Sequence, residues 1–176
     1  GIQDGDYNVV WDMWWGENAR IVRLLENGTV IAEKTLARNA PNEQHATFPV
    51  MGHVNGTYVY TAELENSRGT TTTAPLTVKV TQANPAKPAL STAGTVKTGT
   101  YAVTANLWWG TNATSYRFIE NGVVVATGTL TAASPGAQVA SLPVTNKPKG
   151  SYVYTVVFAN AAGETSSAAL TVKVTK

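Results

Sequence analysis

Residues 13–32 read MWWGENARIVRLLENGTVIA, and residues 107–126 read LWWGTNATSYRFIENGVVVA. The two stretches lie 94 positions apart. Extended in both directions, the alignment runs from Asp4–Gln82 to Thr98–Lys176 without a gap, and 36 of its 79 pairs are identical. A chain with such an internal period is read as an array of like units. The fold question therefore concerns one unit of about 90 residues used twice.

Within the unit, apolar and polar residues alternate at period two, which is the signature of half-buried strands. Tyr7, Val9, Trp11, Met13 and Trp15 share one parity. Asn8, Val10, Asp12 and Trp14 share the other. A second strand over about 19–26, with Val22 and Leu24 inward, meets Asn27-Gly28, and the second copy repeats the pair as Asn121-Gly122. A type I′ hairpin turn needs positive φ at both central residues, and Asn-Gly supplies it. Further strands are expected near 29–36, 44–50, 57–65 and 71–81. No amphipathic helix is found. Seven short strands per unit predict an all-β chain of two tandem β-sandwiches. Gly56-Thr57-Tyr58-Val59-Tyr60 and Gly150-Ser151-Tyr152-Val153-Tyr154 place a tyrosine where its hydroxyl can tie back to the preceding corner. That feature belongs to immunoglobulin-like and fibronectin-III-like sandwiches.

The expected organisation is module 1 over 1–82, a connector over 83–88 and module 2 over 89–176. Pro85 and Pro88 make the connector extended and semi-rigid, so the modules are expected end to end. The stretch matching 89–96 would fall mostly ahead of Gly1, so the first strand of module 1 is expected to be cut short or supplied otherwise. The abrupt start suggests a piece excised from a larger protein, expected to be secreted and monomeric.

Composition removes several functions. There is no cysteine, hence no thiol nucleophile, disulfide or thiolate metal site. Thirteen basic and eleven acidic residues give a net charge of +2 with no basic run, so nucleic acid is not an expected partner. No apolar stretch is long enough to span a membrane. His45 and His53 do not recur, their counterparts being Val139 and Lys147. Of the first copy's acidic residues between Asp4 and Glu26, only Glu26 persists, as Glu120, beside the hairpin turn. A turn-flanking surface charge is the expectation there. No phosphate loop or nucleophile motif is present. No catalytic residue, metal or cofactor is expected.

The tryptophans carry the functional signal. Four of the five form Trp14-Trp15-Gly16 and Trp108-Trp109-Gly110. Adjacent strand residues point to opposite faces. Trp15 and Trp109 are expected on the core side with Trp11, and Trp14 and Trp108 on the polar side, partly exposed. A bulge at Gly16 or Gly110 would invert this. A large exposed aromatic kept in both copies suits the C–H face of a sugar ring, so Trp14 and Trp108, with Trp15 and Trp109 beside them, are the candidate carbohydrate-binding residues, and Asn18, Asn112, Arg23 and Arg117 are within reach to bond hydroxyls. Packing of the indoles over the end of the sandwich is the alternative.

Trp11-Asp12-Met13-Trp14-Trp15-Gly16, the Glu-Asn-Gly turn, the Gly-x-Tyr-x-Tyr corner and the terminal Leu-Thr-Val-Lys-Val strand resemble accessory modules of secreted bacterial chitinases. They are similar, more loosely, to the N-terminal chitin-binding sandwich of chitinase A enzymes, with its Trp-Asn-Leu-Trp-Asn-Gly strand. The second copy departs from that strand at Ala105, and both copies place a second tryptophan at its asparagine. The resemblance implies surface tryptophans, by position Trp14 and Trp108, guiding insoluble chitin toward a catalytic domain of the same parent chain. The function expected is non-catalytic binding of an insoluble polysaccharide, chitin favoured. A spacer between other domains and an adhesin-type protein-binding array are the alternatives.

Overall fold

The computed structural model describes residues 3–176. All regular structure except a 3-10 turn at Val96–Thr98 is β, in two sandwiches. Two compact units are present among the described residues: Gly5–Thr81, and Gln82–Lys176 with Gln3 and Asp4. No helix among the described residues is long and apolar enough to cross a membrane.

The first unit holds β1 (Tyr7–Met13), β2 (Ile21–Glu26), β3 (Thr29–Thr35), β4 (Gln44–Val50), β5 (Gly56–Asn66), β6 (Gly69–Thr72) and β7 (Leu76–Val80). One sheet has the order β3-β2-β5, with β6 and β7 both on β5, and the other is the antiparallel pair β1-β4. The second unit repeats these as β9 (Thr100–Leu107), β10 (Ser115–Glu120), β11 (Val123–Thr129), β12 (Gln138–Val144), β13 (Gly150–Asn160), β14 (Gly163–Ser166) and β15 (Leu170–Val174). It adds β8 (Ala89–Thr95), antiparallel to the free side of β9. Among the described residues, the first unit has no counterpart of β8. Gly1, which aligns with Thr95, lies outside them.

Alternation builds both cores. Val9 and Trp11 of β1, Val22 and Leu24 of β2, Phe48 of β4 and Tyr60 of β5 bury together. Val103, Leu107, Phe118, Tyr154, Val156 and Phe158 form the second core. Asn27 and Asn121 take φ of 48° and 47°, and the glycine after each takes 84°, the backbone that an Asn-Gly hairpin requires. The expected strand over 71–81 is two strands. Thr73 leaves the ladder, exchanging 2.9 Å bonds with Ala62 through its backbone N–H and its Oγ1, and Pro75, which has no N–H to donate, follows. The segment expected as a connector lies on the second unit: Ala83 is buried, and Asn160 Nδ2 donates to its carbonyl at 2.8 Å.

The corner tyrosines behave as the sequence implies. Tyr58 and Tyr152 donate to the carbonyls of Val54 and Pro148, both at 2.9 Å. The second tyrosine of each motif makes a network the sequence did not suggest. Tyr60 donates to Glu26 at 2.6 Å and meets the Tyr7 hydroxyl at 2.8 Å. Tyr154 donates to Glu120 at 2.6 Å and meets Tyr101 at 2.9 Å. Glu26 and Glu120 are thus structural acceptors and not plain surface charges. The nitrogen group opposite differs between copies: His53 Nε2 lies 2.6 Å from Glu26, and Lys147 Nζ lies 2.5 Å from Glu120.

Burial by itself pushes the Glu26 carboxyl up, but the bonds from Tyr60 and His53 outweigh it and hold the group below its usual value. Glu120 is likewise lowered, its burial outweighed by Lys147 and Tyr154. A carboxyl whose folded pKa is depressed stabilises the fold above its unfolded pKa and loses that contribution as pH falls through the folded one. Melting temperature is therefore expected to drop as pH falls below about 4.5. The Glu26→Gln/Glu120→Gln double variant should be less stable at neutral pH and show a flatter profile, measured by thermal unfolding between about pH 7 and pH 3.

Candidate functional site

The last ladder pair of β1 is Met13 with Gln44, and that of β9 is Leu107 with Gln138. Past these pairs no neighbouring strand imposes the pleat, and alternation ends. Gly16 and Gly110 then turn at φ of 134° and 118°, where glycine is favoured. Their N–H groups donate to Pro41 and Pro135 across the tip, at 2.9 and 3.0 Å.

As a result both indoles of each pair face solvent. Trp14 and Trp15 are each 76% exposed, and Trp108 and Trp109 are 72% and 61% exposed. Trp14 and Trp108 are placed as the alternation implied. Trp15 and Trp109 are not core residues: the strand stops one residue before the tryptophan pair, so parity counted along it does not extend to them. Trp11, inside the ladder, is buried as expected.

Asn18 and Asn112 require a correction. They are 2% and 3% exposed, and their amides are occupied inside the protein. Asn18 Nδ2 donates to Asn42 O at 3.1 Å, and Asn18 Oδ1 accepts the Asn39 N–H. Asn112 Nδ2 donates to Gly136 O at 2.7 Å, and its Oδ1 accepts the Ala133 N–H at 2.6 Å. Neither can meet a sugar hydroxyl. Both tie the loop after the indoles to the loop between the third and fourth strands of the module.

Arg23 and Arg117 sit on β2 and β10, in the sheet opposite to the one whose end carries the indoles. Arg23 is 2.7 Å from both Glu33 and Glu65. Arg117 makes two parallel bonds to Glu164 at 2.6 and 2.7 Å, a fork-to-fork carboxylate pair. Arg23 Nε and Nη1 and both η nitrogens of Arg117 are engaged in ion pairs on the outer sheet face.

Two residues overlooked in the sequence complete the tip. Gln44 Oε1 accepts the Ala19 N–H at 2.8 Å, while its Nε2 donates to Ala19 O and Ala37 O at 3.0 and 2.7 Å. Gln138 repeats the pattern on Ala113 and Thr131, with all three bonds at 2.8 Å. Both glutamines are buried and both open a strand. Identity at the 94-residue offset was the available signal. The result is two exposed indoles on a loop pinned by a buried Asn-Gln clamp. That is an exposed apolar surface, which suits a flat extended ligand. Among the described residues, no cluster of His, Asp or Glu could hold a metal ion.

Comparison with known proteins bears on the first copy. The family model of the chitinase A N-terminal domain matches residues 3–88. This agrees with the resemblance read from the Trp11–Gly16 strand and supports a chitinase accessory module there. No curated protein matches the chain. Similar solved structures include the fibronectin(III)-like modules of CbhA from Clostridium thermocellum, at 17% identity and a TM-score of 0.31, with 98% of this chain and 87% of that one covered. Red sea bream transglutaminase is 12% identical with a TM-score of 0.42, and the BSP domain of a biofilm-associated protein is 16% identical with a TM-score of 0.39. The chain spans only 30% and 28% of those two.

Truncating either glutamine would strand buried N–H and C=O groups at a cost of about 1–3 kcal/mol. Gln44→Ala and Gln138→Ala are each expected to lower stability by about 2 kcal/mol, read as a shift in denaturant midpoint.

Proposed function

We propose that the chain is a non-catalytic tandem binding module for an insoluble polysaccharide, with chitin as the favoured ligand. It would serve a catalytic domain carried by the same secreted parent protein. One observation carries the reading: each copy keeps two adjacent, solvent-exposed indoles on a braced tip. Exposing four large aromatic surfaces gains nothing for folding, since apolar area stabilises only when it leaves water. Keeping them exposed in both halves suits a ligand that supplies the missing apolar cover. A glycan does so with the C–H faces of its rings, stacked on the indoles. The similarity of residues 3–88 to a chitinase domain is the reason chitin is favoured among glycans.

Trp14, Trp15, Trp108 and Trp109 are the proposed contact residues. Asn18, Asn112, Gln44 and Gln138 hold them in place and touch no ligand. Two weak sites on one chain raise retention on a polymer surface through effective concentration whenever both engage. A pure spacer would leave the four indoles without a use.

The test is depletion of the chain from solution by insoluble chitin, with cellulose, xylan and starch granules in parallel. Retention on chitin is expected to disappear when all four residues are changed to Ala. Because these side chains are largely exposed, unfolding free energy should change by only about 0.5 kcal/mol per substitution. Equal retention of the quadruple variant, or no retention of the parent on any glycan, would exclude the proposal.

A further inference from the structure

The tip of the second unit opens onto a sheet face without charge. β12, β9 and β8 pair in that order, and not one residue of the three strands is Asp, Glu, Lys, Arg or His. Tyr101, Val103, Ala105 and Leu107 of β9 are buried in the core, so Ala102, Thr104 and Asn106 stand on the outer face. Trp108 follows at the same parity, 72% exposed.

Strand register arranges this face in rows, because residues opposite each other in a ladder share a face. Ser91, Thr104 and Ser141 form one row across the three strands, and Asn106 stands opposite Val139 in the row nearer the tip. Ser91, Ser141 and Val139 are exposed, and Thr104 and Asn106 are half-buried. From Trp108 to Ala102 the line runs about 20 Å, and three strands make the face about 10 Å wide.

Folding gives these polar groups no task. Among the described residues, the side chains of Ser91, Thr104, Asn106 and Ser141 make no hydrogen bond within the protein. An asparagine amide offers two donors and an acceptor oxygen, and asparagine is disfavoured in strands. The Asn106 side chain therefore stabilises neither the ladder nor the core. The same places in the first unit differ. Thr104 and Asn106 correspond to Val10 and Asp12, and Asp12 stands opposite His45. That face is part apolar and part ionisable, where the second unit's is neutral throughout.

We propose that the outer face of β12, β9 and β8 is a binding surface continuous with Trp108, which takes one extended chain of an uncharged polysaccharide lengthwise along β9. The inference rests on the glycan reading of the tips and extends it from stacking to hydrogen bonding. A sugar ring stacked on Trp108 anchors the chain. The Asn106 amide and the hydroxyl row of Ser91, Thr104 and Ser141 meet hydroxyl or acetamido groups of the rings beyond, and Val139 lies under their C–H faces. An uncharged polymer fits because the surface has no ion to desolvate and no cation to hold an anionic polymer. Neutral hydrogen bonds are individually weak, and a row of them along one polymer gains by repetition.

The experiment uses the full chain carrying Trp14→Ala and Trp15→Ala, so that only the second tip reports. Soluble chitin oligosaccharides of two and six sugars are titrated into it. The hexasaccharide, long enough to leave the tip, is expected to bind at least about tenfold more tightly than the disaccharide. Thr104→Val with Asn106→Asp installs the first unit's residues at nearly constant size. This pair should cut the advantage to the few-fold gain that comes from the greater number of sugars, leaving disaccharide binding and melting temperature unchanged. Should the variant not fold, Ser91→Arg with Ser141→Arg, at exposed positions, covers the row and should act alike. A hexasaccharide that binds no better than the disaccharide, or an advantage that survives the substitutions, would overturn the lengthwise site. Retention of the parent chain on insoluble chitin would then leave tip binding standing, and loss of that retention as well would overturn both.

Discussion

A buried glutamine amide closes the end of each sandwich. Gln44 and Gln138 hold the loop residue just ahead of the hairpin and the segment that follows it, using both ends of one side chain. Backbone groups in a loop are normally satisfied by water. Here they are satisfied from within the protein, which allows the loop to be dry and fixed. The asparagine two residues beyond each Trp-Trp-Gly applies the same chemistry from the other side. Everything distinctive about the tip, including the exposure of four indoles on a defined backbone, depends on these amides staying paired.

Much of the fold was legible because the relevant signals are local or periodic. Alternation placed Val9, Trp11, Val22 and Leu24 inward, and Asn27-Gly28 and Asn121-Gly122 fixed the hairpins. The duplication made each reading a double observation. The failures came where a neighbour decides. Trp15 and Trp109 keep the parity of core residues, but the ladder ends at Met13 and Leu107, and nothing in a one-dimensional pattern marks where the partner strand begins. Asn18 and Asn112 look like surface polar residues beside an aromatic pair. Their burial follows from the loop opposite, about 21 residues away in sequence. Ligand identity cannot be read from parity or burial at all, since indole faces accept many apolar surfaces.

Comparing the copies separates what the module requires from what it tolerates. The Tyr-Glu-Tyr network at the corner is kept, while the nitrogen group beside its carboxylate changes from His53 to Lys147. A half-buried carboxylate needs hydrogen bonds to remain ionised, and either side chain supplies one. The outer sheet face keeps a bonded arginine but changes its carboxylates, from Glu33 and Glu65 to Glu164 alone. These exchanges keep a bonded partner for each retained charged group while changing the residue that supplies it. The Asn-Gln clamp and the Trp-Trp-Gly tip are kept residue for residue.

The distribution of tryptophan also gives the two halves different optical properties. Trp11 is the only indole of the five that is buried, and it belongs to the first unit. Indole emission depends on the polarity around the ring. The first unit therefore carries one ring that changes from an apolar to an aqueous setting on unfolding. In the second, both rings are already largely in water when folded. Fluorescence from the intact chain consequently follows loss of the first core and occupation of the tips, and is nearly blind to melting of the second core.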